Sequence, residues 1–225
     1  MSVIRQPGVL GRTTRRRVVG TTAALSAAIC ETVAVVLWFW LVVGSTATST
    51  ALAALGILFC GALLRAGLFE ATVSSLGDFV HPRRLGAAVA WTTSWVVWLL
   101  VAEFVGGPVG VAVATAGLTI LLVAQFTVER RVFRAGQVYD RQLVPSLTAV
   151  VPAVVLAAGA AALLVTTRTR FADWMLVSPP VSLEVTTIVI RIEAVHVGIA
   201  VFAICAFLAH QQRFRRLLSS DRCSF

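Results

Sequence analysis

The chain has 225 residues, 58% of them hydrophobic and only 13% charged, with a mean hydropathy of +0.90. A water-soluble core of this length has no room for so much apolar surface, which excludes an ordinary soluble domain and makes the bilayer the natural solvent. The net charge of +9 would raise nucleic acid as a partner in a soluble protein, but the basic residues cluster between apolar runs, the pattern of membrane topology, so no nucleic-acid partner is expected.

Residues 1–17, MSVIRQPGVLGRTTRRR, carry five Arg and no acid. The twin-arginine-like stretch from Thr14 to Val19 resembles a targeting signal, but the apolar run continues past Glu31 through VAVVLWFWLVV, long enough to span a bilayer at about 1.5 Å per residue. The first helix is therefore predicted over 18–44, with Trp38 and Trp40 as interface anchors. After STATST a second helix covers 51–73, with Arg65 inside it. The loop GDFVHPRRLG leads to a third helix over 85–105, and GGPVG allows only a tight turn before a fourth over 109–128. The arginine-rich loop ERRVFRAGQVYDRQ follows. A fifth helix is predicted over 143–166 with a kink at Pro152, and a sixth over 186–210, followed by a basic tail, 211–225.

The arginines settle an expected orientation. The N-terminal tail, second loop, fourth loop and C-terminal tail hold 5, 2, 4 and 4 of them, whereas the first and third loops hold none and the fifth holds only Arg168 and Arg170. The expected fold is an all-α membrane protein, a bundle of six transmembrane helices in the cytoplasmic membrane with both termini cytoplasmic and a kinked fifth helix. The fifth loop reads as a short interfacial helix around Phe171, Trp174, Met175 and Leu176, ended by Pro179 and Pro180. A spacing of 81 relates Gly117, Phe126, Phe133 and Arg134 to Gly198, Phe207, Phe214 and Arg215, the trace of a repeated hairpin unit of the kind some transporters have.

All the basic side chains are Arg. The absence of Lys, with the wealth of Ala, Val and Gly, suggests a GC-rich coding genome and a prokaryotic source; it also excludes Schiff-base cofactors and a P-loop lysine. The sequence has no H-E-x-x-H, G-x-S-x-G or Gly-rich dinucleotide fingerprint, which speaks against an enzyme built on those chemistries. Cys30, Cys60, Cys205 and Cys223 form no C-x-x-C pair and read as reduced thiols. No metal site or cofactor is expected: His196 and His210 are spaced for haem, but no partner helix carries matching histidines.

Ionisable residues inside apolar runs are costly, so they are the candidate site. Glu31 and Arg65 lie at depths within roughly 5 Å of one another on small-residue faces of the first two helices, and an interhelical Glu31–Arg65 pair is expected. In the sixth helix Glu193 and His196, spaced i, i+3, share a face and are placed to hydrogen-bond as a proton-handling pair. Arg191, on the other side of that helix, is assigned to Glu103 as an outer interface pair. Trp91, Trp95 and Trp98 form a stripe along the third helix, either a surface for a cofactor, pigment or lipid or a ridge packed on small residues of the neighbouring helices.

Three functions fit these features. The preferred one is a small permease or the membrane subunit of a transport complex, with Glu31, Arg65, Glu193 and His196 meeting solute or protons. The alternatives are a structural or assembly subunit that packs beside other membrane subunits or copies of itself, and a lipid-modifying enzyme using Glu193 and His196 as acid and base. The arginine-rich loops are expected to meet anionic lipid headgroups.

Overall fold

The computed structural model describes residues 8–73, 82–133, 147–168, 172–183 and 186–220. Six long helices account for most of them: α1 (Gly8–Gly44), α2 (Thr48–Val73), α3 (Pro82–Val105), α4 (Gly107–Phe133), α5 (Leu147–Arg168) and α6 (Ala194–Ser220). All six are long and apolar enough to cross a membrane, and the chain is an integral, multi-pass membrane protein of the all-α class. The basic segments 1–7 and 134–146, the loop 74–81 with His81, and residues 221–225 with Cys223 lie outside the described residues.

The chain divides into two compact units, residues 1–88 with 207–225, and residues 89–206. In the first, α1 packs along α2. The stripe Leu25, Ile29, Val33 and Leu37 of α1 is exposed, while Ala24, Ala27, Ala28, Glu31 and Ala34 are buried. Large residues point outward and small ones inward because lipid is as good a solvent for Leu as the protein interior; what drives helices together in a bilayer is close packing. Gly61 of α2 shows how close: a Cβ placed there would overlap Ala34. Phe214 fills the gap over Ala23, Ala24 and Ala27, with Phe207 beside it. Trp38 is buried, whereas Trp40 is exposed, so of the two only Trp40 has the lipid-side position expected of an anchor.

In the second unit α4 packs along α5. Leu118 and Leu122 of α4 and Ala153, Leu156, Ala157 and Ala160 of α5 are buried. The backbone of α6 comes close to α5 where glycine permits it: a Cβ at Gly159 would crowd Cys205 and Phe202, and one at Gly198 would overlap the Thr166 hydroxyl. Gly117, its counterpart at the spacing of 81, has open space around it, so the two glycines do not do the same packing work. The α3–α4 connection is a single residue, Gly106. Gly106 and Gly107 have φ of 67° and 59°, the left-handed region that costs a side-chain-bearing residue about 1 kcal/mol or more. Pro108 follows in the first turn of α4, where its missing N–H has no intrahelical acceptor to lose. On α4 the threonine hydroxyls are satisfied locally: Thr115, Thr119 and Thr127 donate to the carbonyls of Val111, Thr115 and Val123 at 2.6–2.8 Å, which gives them a partner where water is absent. Pro152 lies inside α5.

The α5–α6 connection departs most from expectation. In place of an interfacial helix around Trp174 it forms a two-stranded antiparallel ribbon: β1 (Met175–Val177) pairs with β4 (Arg191–Glu193), and β2 (Val181–Leu183) with β3 (Thr186–Ile188). The sixth helix accordingly starts at Ala194, eight residues later than position 186, and runs to Ser220 rather than stopping at 210. The reason is legible in TTIVIRIE, residues 186–193: six of its eight residues are β-branched, a composition that favours strand over helix.

Because the α1–α2 approach rests on one missing methyl, Gly61→Ala should destabilise the protein by about 1–3 kcal/mol through overpacking. Gly61→Ala combined with Ala34→Gly should recover most of that loss. Gly56→Ala, which meets nothing within 4 Å, should be neutral. Denaturation in mixed detergent micelles measures all three.

Candidate functional site

The polar centre of the first unit is assembled from three helices. Glu31 of α1 and Arg65 of α2 are each 2% exposed, and His210 of α6 is fully enclosed. The small residues around Glu31 let the helices approach until its carboxylate meets the imidazole: His210 Nε2 lies 2.5 Å from Glu31 Oε2. Two lone-pair atoms that close repel unless a proton sits between them, so the pair shares one proton along this line, on either the ring or the carboxyl group. The other carboxylate oxygen, Oε1, is buried with no hydrogen-bond partner among the described residues. Arg65 and Arg213, one helical turn beyond His210, are near enough for their charges to act on the imidazole.

Sequence reading paired Glu31 with Arg65; the hydrogen bond that Glu31 makes goes to His210, and the Arg65 charge acts on that imidazole. His210 escaped notice as a partner for Glu31 because a sixth helix ending at 210 puts it at the membrane surface. With α6 spanning Ala194–Ser220, it is well inside. A signal was present: Gln211 through Ser220 contains no helix breaker, and Arg and Leu are good helix formers.

Glu193 and His196 are both exposed, and they do not meet as a carboxylate–imidazole pair. Glu193 ends β4, and its backbone N–H donates to Nδ1 of His196 at 3.1 Å. This is the geometry of a helix cap, in which the side chain three residues into the helix reaches back to the residue before its first turn. His196 here stabilises the start of α6, and Nδ1 is occupied as an acceptor. Glu103, assigned above to Arg191, pairs with Arg168 at the end of α5, 2.5 Å away. Both side chains are about 40% exposed or more, so this bridge contributes little. Arg191 lies across from Val177 on the ribbon.

The Trp stripe is a buried ladder. Trp91, Trp95 and Trp98 stand edge to face with centroids 5.8 and 5.3 Å apart, Trp91 stacks on Phe126 of α4, and Trp95 meets Phe202 of α6 edge on. The ridge thus packs on aromatic rings of α4 and α6, an arrangement worth about 0.5–1.5 kcal/mol per pair beyond burial. Sequence reading also passed over Gln125 and, by ending the fourth helix at 128, Glu129. The helix continues to Phe133, both side chains are buried, and Gln125 Nε2 donates to Glu129 Oε1 at 3.0 Å.

Among the described residues no three His, Cys, Asp or Glu side chains gather as a metal-holding group, and Cys30, Cys60 and Cys205 are free. No family model, curated protein or solved structure matches the chain. The groups that the site brings together are an acid and a base that share a proton in a low-dielectric setting, with the guanidinium groups of Arg65 and Arg213 near the imidazole.

Removing one partner strands the other. His210→Leu should lower stability by about 1–3 kcal/mol, the cost of an unsatisfied buried polar group. The Glu31→Leu, His210→Leu double variant should recover a large part of it, since apolar replacement of a buried pair is often neutral. A double variant as unstable as the sum of the singles, in the same micelle assay, would show that the two side chains act independently.

Proposed function

We propose that the chain is a small permease, or the membrane subunit of a transport complex, and that the Glu31–His210 pair with Arg65 is where it holds a proton or the polar part of a solute. The observation that carries this reading is a hydrogen-bonded acid and base enclosed within membrane-spanning helices, with one carboxylate oxygen unpartnered. A purely structural helix contact is better made from apolar groups, because desolvating charges costs as much as their attraction returns. Ionisable groups kept at such depth mark ion, proton or substrate paths. The shared proton passes between ring and carboxyl by a displacement of well under an ångström, and Oε1 is left as a second acceptor.

The same reading places the chain in the cytoplasmic membrane with both termini cytoplasmic, since that puts the arginine-rich segments on the side where positive charge is retained and anionic headgroups lie. Glu193 and His196 have no part in it, because their contact is a helix cap at the exposed start of α6.

Proton movement into proteoliposomes, driven by a potassium diffusion potential and read by a lumenal pH dye, tests the role. Wild-type protein should acidify or alkalinise the lumen faster than empty vesicles do. Glu31→Gln and His210→Gln should each abolish the excess, and Glu193→Gln should leave it unchanged. Flux no greater than in empty vesicles, or flux that survives both substitutions, would contradict the proposal and leave an assembly subunit with no substrate of its own as the better reading.

A further inference from the structure

The ribbon between α5 and α6 has two unlike faces. Met175, Leu176 and Val177 stand opposite Glu193, Ile192 and Arg191. Backbone bonds from Ala194 N–H to the Trp174 carbonyl and from Ser178 N–H to the Ile190 carbonyl extend the ladder by a rung at each end. Since side chains alternate along a strand, Trp174, Leu176, Ile190 and Ile192 share one face, while Met175, Val177, Arg191 and Glu193 share the other. The four apolar side chains of the first face are 38–56% exposed. Beyond this ladder the register changes: Pro179 and Pro180 on one strand oppose Val189 alone on the other before Val181 pairs with Ile188. Two residues against one is a bulge, which bends a ribbon, and neither proline has an N–H to lose from the ladder.

What covers the apolar face follows from distance. β4 leads into α6 with no linker, Glu193 being followed directly by Ala194. At about 3.3 Å per residue, the Leu176–Ile192 rung lies no more than about 7 Å from the start of α6, and the Ser178–Ile190 rung no more than about 13 Å. The headgroup layer on each side of a bilayer is roughly 5–8 Å deep. The Leu176–Ile192 rung therefore stays in or beside that layer whatever the tilt, and the Ser178–Ile190 rung stays in it when the ribbon lies along the membrane surface. Trp174, at the base, is of the residue type that prefers this layer.

We propose that the ribbon lies in the plane of the membrane as an amphipathic β-hairpin, with Trp174, Leu176, Ile190 and Ile192 set against the acyl boundary and Arg191 and Glu193 turned to headgroups and water. This is independent of the role assigned to Glu31 and His210. Lipid is the occupant because the rungs next to α6 are held at the bilayer surface by their direct join to a membrane-spanning helix, and the opposite, charged face supplies the water-facing side that an interfacial element needs.

Spin labels read both faces. In the full-length chain, with Cys30, Cys60, Cys205 and Cys223 replaced by Ala, nitroxides would be attached singly at Leu176→Cys, Ile190→Cys and Val177→Cys. All three positions are exposed, so a label does not disturb packing. In liposomes of phosphatidylcholine and phosphatidylglycerol, labels at 176 and 190 should collide with a water-soluble nickel chelate severalfold less often than the label at 177, yet collide readily with oxygen. Equal access of the chelate to all three sites would overturn the proposal by showing a ribbon that stands in water. Shielding of 176 and 190 from both reagents would overturn it too, by showing that a second copy or another protein covers the face.

Discussion

The hydrogen bond between Glu31 and His210 is the constraint to which the rest of the first unit is fitted. A carboxylate alone in hydrocarbon would be driven to neutralise; beside an imidazole 2.5 Å away it has a partner for its proton, and the guanidinium groups of Arg65 and Arg213 bias the charge around the pair. Meeting that requirement demands three helix backbones close together. Glycine and alanine provide this on α1 and α2, with Gly61 set against Ala34, and Phe214, one turn past His210, closes the contact over Ala23, Ala24 and Ala27. The small-residue faces thus serve the polar site as well as helix association.

The second unit is held by a different kind of interaction. Its centre is the Trp91–Trp95–Trp98 ladder with Phe126 and Phe202, where ring edges meet ring faces at 5.3–6.5 Å. Glycines at 159 and 198 let α6 lie against α5, much as Gly61 does for α2. An aromatic lattice in one unit and a charge cluster in the other mean that α6 contributes differently along its length: Phe202 to ring packing, His210 to the proton-sharing pair.

Much of this was legible from residue type and spacing. Six apolar runs of membrane length give the six helices, GGPVG gives the tight turn at Gly106, and Glu31 and Arg65, as charges amid Ala and Gly, stand out as residues that must face protein. What misled was the apolar stretch at 186–193. Hydrophobicity alone does not separate a strand from a helix, and TTIVIRIE, read as the start of a span, moved the sixth helix by two turns and drew Glu193 into a false pairing with His196. The same displacement hid His210, the partner Glu31 has in the structure. Its β-branched composition was the available warning. The long-range pairing of residues 31 and 210, by contrast, depends on which helices become neighbours, and no local pattern encodes that.

A working site at Glu31 and His210 requires that their shared proton be exchangeable. Infrared difference spectroscopy of the protein in lipid, stepping the bulk pH, reads it directly. A protonated-carboxyl band that changes with pH, shifts on deuterium exchange, and is missing in both Glu31→Gln and His210→Gln proteins is the predicted result. A Glu31 carboxyl signal that stays constant across the pH range and does not exchange would show a sealed helix contact and rule out a proton-handling role for the pair.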